Sequence, residues 1–301
     1  MLRRFALQSG DKIGIAATAR FLYEEELKPA LEILGSWGYE VVVATNAYTR
    51  DGQFAGDDRM RATTFQAMLD DPSIRAIFCA RGGYGTIRIM DLLDFHGFAE
   101  HPKLICGYSD VTVLLTHING KLGLPGLHCA MPFSFAKTDH KAMHSMQQAL
   151  QGGQLAYTIQ AHPLNKYGYA KAVCIGGNLS ILYALLGTKY GFNTGGCILF
   201  IEDIDEYLYH IDRMMMSMLL AGKLDALKGV VVGAFTDMKD NKVAFGKPAE
   251  EILDAYFGKL GIPVVYGFPA GHIENNNTLV LGDVAELEVS ATGALLRFNL
   301  T

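Results

Sequence analysis

Leu104-Ile105-Cys106-Gly107-Tyr108-Ser109-Asp110-Val111-Thr112-Val113-Leu114-Leu115 is the stretch on which the reading of this chain turns. It opens with a short apolar run over 104–107, breaks sharply at Tyr108-Ser109-Asp110 and continues as an apolar helix through Leu122. A buried strand, a tight turn and a helix within a dozen residues form the repeating unit of a helix-covered parallel sheet. The same rhythm extends upstream. Residues 74–80 read as a strand ending in Arg81-Gly82-Gly83-Tyr84-Gly85, with a helix over 86–93. Residues 59–69 read as helix, and 39–44 as a Val-rich buried strand. Residues 24–37 form a helix with Leu27, Leu31 and Leu34 at helical spacing and Gly38 as its stop. Residues 13–18 form the first strand. Downstream, 124–131 makes a fifth strand.

Past Pro132 the pattern loosens, although 140–150 has helical spacing. Gly152-Gly153 and the polar stretch 162–169 read as connection. A second pattern then begins: a helix opened by Gly176-Gly177-Asn178, a strand over 197–201 and a Met-rich helix over 207–220. Strand, helix and strand follow over 229–235, 248–260 and 263–268. An alternating tail over 279–300, turning at Thr292-Gly293, predicts an antiparallel hairpin. The expected architecture is α/β. An N-terminal parallel-sheet domain spans 1–135, a linker 136–169, and a C-terminal mixed α/β domain 170–301.

Composition narrows the function classes. Half of the 301 residues are hydrophobic and 19% are charged, enough apolar surface for a large core and too little charge for a disordered chain. A net charge of −5, without a basic stripe, argues against a nucleic-acid partner. No run approaches the ~18 apolar residues of a membrane span. Arg3 and Arg4 begin like a secretion signal, but residues 8–12 interrupt the apolar region that would have to follow. The five cysteines are widely spaced, lack a Cys-x-x-Cys pair and lie mostly in strand-like runs, which reads as buried free thiols in a reducing, cytoplasmic setting. The missing Cys-x-x-Cys spacing also argues against a disulfide framework or a zinc site.

The turn at Ser109 carries the chemistry. A serine between a buried strand and a helix projects its hydroxyl from the strand's C-terminal end, where the helix's free N–H groups can hold an oxyanion. The fit to G-x-S-x-G is incomplete, because position 111 is Val, and a cap is the plainer reading of such a residue. Clustered glycines at 82–85 let a backbone approach a ligand closely. Gly83 and Asp110 are the expected N–H donors, and Arg81 could pair with a substrate carboxylate. A serine hydroxyl needs a base. His272 follows a strand in a Gly/Pro-rich loop, whereas His117, His140 and His144 fall on helices and His128 on a strand. Glu202, at the end of an apolar strand, is the expected acid. Its neighbours Asp203, Asp205 and Glu206 leave open a solvated acidic loop or a Mg²⁺ site. Met214–Met216 and Met218 read as core.

Taken together, Arg81-Gly82-Gly83-Tyr84-Gly85, Gly107-Tyr108-Ser109-Asp110, Gly176-Gly177-Asn178-Leu179-Ser180, Glu202 to Glu206 with Tyr209 and Ile211-Asp212-Arg213, and Gly271-His272 resemble the LD-carboxypeptidases of bacterial murein recycling. That family also contains microcin C immunity peptidases. The resemblance runs over nearly the whole chain. It implies two domains with the active site in the groove between them, and commonly a homodimer. It also implies a triad in the order Ser109, Glu202, His272, with Glu206 as the rival acid. The implied reaction releases the terminal D-alanine from a murein tetrapeptide, cutting an L,D bond without a cofactor. Two alternatives stand beside it: an immunity peptidase for acylated aminoacyl-nucleotides, and a non-catalytic α/β protein binding a ligand at the Gly82-Gly83 turn.

Overall fold

The computed structural model describes residues 1–298. The last residues of the expected hairpin, 299 and 300, lie outside the described residues. Thirteen strands are named among the described residues: β1 (Lys12–Ala16), β2 (Glu40–Val43), β3 (Ile74–Cys79), β4 (Leu104–Cys106), β5 (Gly126–His128), β6 (Leu155–Gln160), β7 (Gly168–Asn178), β8 (Ile198–Ile204), β9 (Gly229–Thr236), β10 (Val264–Val265), β11 (Leu279–Leu281), β12 (Val284–Ser290) and β13 (Gly293–Phe298). The α-helices are α1 (Glu24–Ser36), α2 (Asp58–Asp70), α3 (Thr86–Ile89), α4 (His96–Glu100), α5 (Thr112–Leu122), α6 (His140–Leu150), α7 (Leu179–Leu185), α8 (Leu208–Leu220) and α9 (Ala249–Phe257).

The first sheet has the order β11-β5-β4-β3-β1-β2, parallel except for β11. Its parallel strands are almost wholly apolar, as expected of strands covered on both faces. In the order 2-1-3-4-5, the strand order reverses between β1 and β3, and ligands of such sheets sit at the carboxyl ends of the strands beside that switch. The turns after β1, β3 and β4 therefore share one edge, and they contain Arg20, the 81–85 glycine turn and Ser109.

The second sheet has the order β10-β9-β8-β7-β12-β13-β6. β7 to β10 pair in parallel, and β12, β13 and β6 add on antiparallel. Two expectations are corrected here. The segment 136–169 is no linker, because α6 packs there and β6 forms the sheet edge against β13. Its polar residues alternate with Leu155 and Ile159, which are buried. The alternating tail is also not one hairpin. Leu279–Leu281 pairs with β5 of the first sheet, and only β12 and β13 form the hairpin. All three of those residues are buried, which fits a strand covered on both sides.

The sheets meet where α5 abuts the end of β7. Asn178 N donates to Thr112 Oγ1 at 3.1 Å. A Cβ at Gly177 would stand 2.5 Å from that oxygen, so only glycine permits the approach. Three methionines of α8, Met214, Met215 and Met218, are buried, whereas Met216 is exposed. Among the described residues no helix is long and apolar enough to cross a membrane.

Candidate active site

Ser109 stands three residues past the last residue of β4 and takes φ +61°. A non-glycine residue in this left-handed region is held there against a steric cost, and such strain concentrates at functional turns. The next residue, Asp110, anchors the turn from beneath: its buried carboxylate accepts from Thr86 N at 2.8 Å. Burial raises the Asp110 pKa, and the Thr86 bonds and the Arg61 charge oppose that rise. Its side chain is thus committed to the fold, while its N–H remains at the start of the helix that follows Ser109.

The glycine turn lies against the serine. A Cβ on Gly82 would stand 3.2 Å from Ser109 Cβ and 3.3 Å from its Oγ, whereas one on Gly83 would meet the Arg20 side chain at 2.7–3.0 Å. Arg61, which sequence reasoning passed over, fixes this turn. Fully buried on α2, it donates to Thr18 O at 2.6 Å and Gly85 O at 2.9 Å, joining the loops after β1 and β3. An arginine on an otherwise core-facing helix position was the available signal. Arg81 does not project freely. It pairs with Glu26 at 3.0 and 3.3 Å and lies over the Phe133 ring at 5.1 Å, so a substrate carboxylate would share it with Glu26.

On the facing sheet, Glu202 Oε2 is 2.7 Å from His272 Nδ1. Glu202 is fully buried in β8, whereas His272, in the loop after β10, keeps 15% of its side chain exposed. Gly271, at φ +120°, makes that bond possible, since a Cβ there would stand 2.8 Å from Glu202 Oε2. Burial by itself lowers the His272 pKa. The Glu202 charge and hydrogen bond, with the Asp203 charge behind them, outweigh burial and raise it. The His272 ring meets the Tyr108 ring edge-on at 4.8 Å between centroids, which brings the histidine beside the residue preceding Ser109. An open cleft of ≈ 330 Å³ lies there, lined by Tyr108, Ala130, Lys137, Ile204 and His272 among others.

The acidic run does not converge on a cation. Glu202 faces His272, Asp205 pairs with Lys239 at 2.7 Å, and Glu206 bonds His210 at 2.6 Å. Asp203 accepts from Asn178 Nδ2, Ser180 N and Ile204 N at 2.8–2.9 Å, tying β8 to the start of α7. Burial, then the Glu202 charge, pushes the Asp203 pKa up to about 7. Among the described residues no group of three or more His, Cys, Asp or Glu side chains comes together as a metal site. Of the expected residues, the structure thus bonds Glu202 to His272, and it sets Gly82, at the start of the glycine turn, against Ser109. Glu206 is occupied elsewhere.

Residues 13–129 match the LD-carboxypeptidase N-terminal domain and residues 171–287 the LD-carboxypeptidase C-terminal domain. The chain is 33% identical to a probable murein peptide carboxypeptidase of Bacillus subtilis (strain 168), over 98% of this chain and 94% of that protein. It is similar to the crystal structure of a muramoyltetrapeptide carboxypeptidase from Oxalobacter formigenes, with a TM-score of 0.86 and 28% identity, covering 95% of this chain and 98% of that one. It shares its fold with MccF in complex with glutamyl sulfamoyl guanosine, at a TM-score of 0.84 and 23% identity, covering 97% of each chain. This chain belongs to the LD-carboxypeptidase family and is a serine peptidase by that membership.

Proposed function

We propose that this protein is a serine carboxypeptidase that removes the terminal D-alanine from murein tetrapeptide, using Ser109, His272 and Glu202. The observation that carries this reading is the 2.7 Å bond between Glu202 and His272, formed at an open cleft beside the strained turn that presents Ser109. The names of the Bacillus and Oxalobacter relatives support the substrate class. In this reading the neutral His272 takes the Ser109 proton as Oγ attacks the scissile carbonyl. Glu202 holds the imidazole in its Nδ1–H tautomer and offsets the charge that develops on it. The N–H of Asp110, with that of Gly83 at the glycine turn, holds the oxyanion. D-alanine departs with the proton carried by His272, and water then attacks the acyl-enzyme. Ser109 Oγ has no hydrogen-bond partner among the described residues, and catalytic bonds of this kind tighten when substrate binds. Arg81, shared with Glu26, supplies positive charge for the terminal carboxylate. A homodimer and a cytoplasmic location, both implied by the family resemblance, complete the proposal. Light scattering and cell fractionation check them.

The test is mass spectrometry of the purified protein incubated with murein tetrapeptide, pentapeptide and an aminoacyl-sulfamoyl adenylate. Loss of one alanine from the tetrapeptide alone is expected. Ser109→Ala should remove that activity by several orders of magnitude while remaining folded. Cleavage of the nucleotide conjugate instead would move the protein to the immunity branch, and survival of all three would refute the substrate assignment.

A further inference from the structure

Beneath the Glu202–His272 pair lies a cluster of buried polar atoms that the proposed reaction does not use. The second oxygen of Glu202, Oε1, has no hydrogen-bond partner among the described residues, and neither do both ring nitrogens of His128 and Nδ2 of Asn276. Glu202 and His128 are fully buried and Asn276 is 3% exposed. A buried polar group left unpaired costs about 1–3 kcal/mol, so several in one place call for a common explanation. Their neighbours place them together. The His128 ring lies edge-on to Phe200 at 4.8 Å and to Tyr108 at 5.7 Å between centroids. Phe200 is two residues before Glu202 on β8 and so shares its face of the sheet. A Cβ at Gly233 would meet both Phe200 and Glu202. Asn276 is already tied to the base loop, since its Oδ1 accepts from Gly271 N at 2.9 Å.

The chemistry of the unpaired groups is complementary. Glu202 Oε1 only accepts, Asn276 Nδ2 only donates, and a neutral imidazole does one at each nitrogen. Burial holds the His128 pKa down to about 4, against the pull of the Glu202 charge and Asn276, with the His272 charge adding to the depression. The ring is therefore neutral at physiological pH.

We propose that His128 is a positioning residue for the Glu202–His272 pair. In the arrangement that we propose for the working enzyme, its imidazole N–H donates to Glu202 Oε1 and its other nitrogen accepts from Asn276, two bonds that the described geometry leaves unmade. The result is one circuit: Gly271 N–H to Asn276, Asn276 to His128, His128 to Glu202, and His272 Nδ1–H to Glu202 from the other side. With both oxygens held, the carboxylate cannot rotate away from His272. The inference rests on the assignment of Glu202 and His272 as acid and base, but its test includes readouts that need no substrate.

His128→Phe keeps a ring of similar size and removes both nitrogens, while His128→Gln and His128→Asn each return an amide donor. For the Phe variant kcat should fall about 10–100-fold with KM within about twofold, by analogy with the loss of a hydrogen-bond partner that orients a metal-ligating side chain. At least one amide variant should recover most of that loss. The low-field NMR resonance of the His272 Nδ1 proton should be lost or shifted in the Phe variant and return with the amide. Wild-type kcat and an unchanged resonance in His128→Phe would overturn the proposal, and so would equal impairment of all three variants, which marks a packing role only. If the Phe variant does not fold, nitrogen-15 NMR of His128 in the unaltered protein decides. One protonated, hydrogen-bonded nitrogen and one bare nitrogen between about pH 6 and pH 8 support the circuit. A ring that titrates there, or averages between tautomers, excludes it. A protein that fails to cleave the tetrapeptide but shows this signature would sink the substrate reading and leave the circuit standing.

Discussion

Replacing Ser109 by glycine removes the nucleophile and relaxes the turn that presents it, and the two effects can be separated by comparison with alanine. Ser109 sits at φ +61°. An L-residue in that conformation is about 1–2 kcal/mol less stable than in its preferred regions, and Ser and Ala bear this cost alike because both carry a Cβ. Glycine escapes it but loses about 0.5–1 kcal/mol more backbone freedom on folding. The difference predicts Ser109→Gly to be about 0.5–1 kcal/mol more stable than Ser109→Ala. At an unfolding entropy of about 2.1 cal/mol/K per residue, the 301-residue chain should show a Tm gap of roughly 1–2 °C. Calorimetry and guanidinium melts of the two variants measure it, with peptidase assays run in parallel. Both variants should be inactive. An alanine variant as stable as the glycine variant, or more so, would show that the turn is not strained and that strain plays no part in presenting Ser109.

Glu202→Gln removes the charge that raises the His272 pKa and leaves the burial that lowers it. Because catalysis requires neutral His272, the acid limb of wild-type kcat/KM should have its midpoint above the ordinary imidazole value of about 6.5, with activity lost as pH falls through it. In the variant, NMR titration of His272 should show a midpoint below about 6.5, and kcat should drop by about three to four orders of magnitude; an unmoved titration would refute the coupling. Gly177→Ala sets a Cβ 2.5 Å from Thr112 Oγ1 at a backbone φ of +138°. It should cost about 1–3 kcal/mol in denaturant melts and reduce kcat by displacing α5, and with it Ser109, from the second sheet; a neutral result in both would show that the contact does not set the alignment.

The tertiary structure altered the sequence reading at particular points. Residues 155–160 carried no clear strand pattern in sequence because only Leu155 and Ile159 of this edge strand are buried, and β6 became visible only once β13 was beside it. Leu279–Leu281 looked continuous with the hairpin because three apolar residues do not declare which sheet they join. Arg81 looked free because its partner, Glu26, is 55 residues away.

The local chemistry was written in the sequence. An apolar run, a break and a helix place Ser109 at the carboxyl end of a parallel strand, and a Gly/Pro-rich loop after another strand presents His272. Those readings depend only on short-range geometry, and the order of motifs carried the family. The sequence favoured Glu202 over Glu206 by its place at a strand's end, and the tertiary structure gives the two carboxylates different partners. Both lie in one acidic run, but β8 buries the first against His272, whereas helical spacing pairs the second with His210 four residues on. Only the fold gathered His128, Asn276 and Glu202, because β5, the loop before β11 and β8 meet through sheet order and packing, which local sequence does not encode.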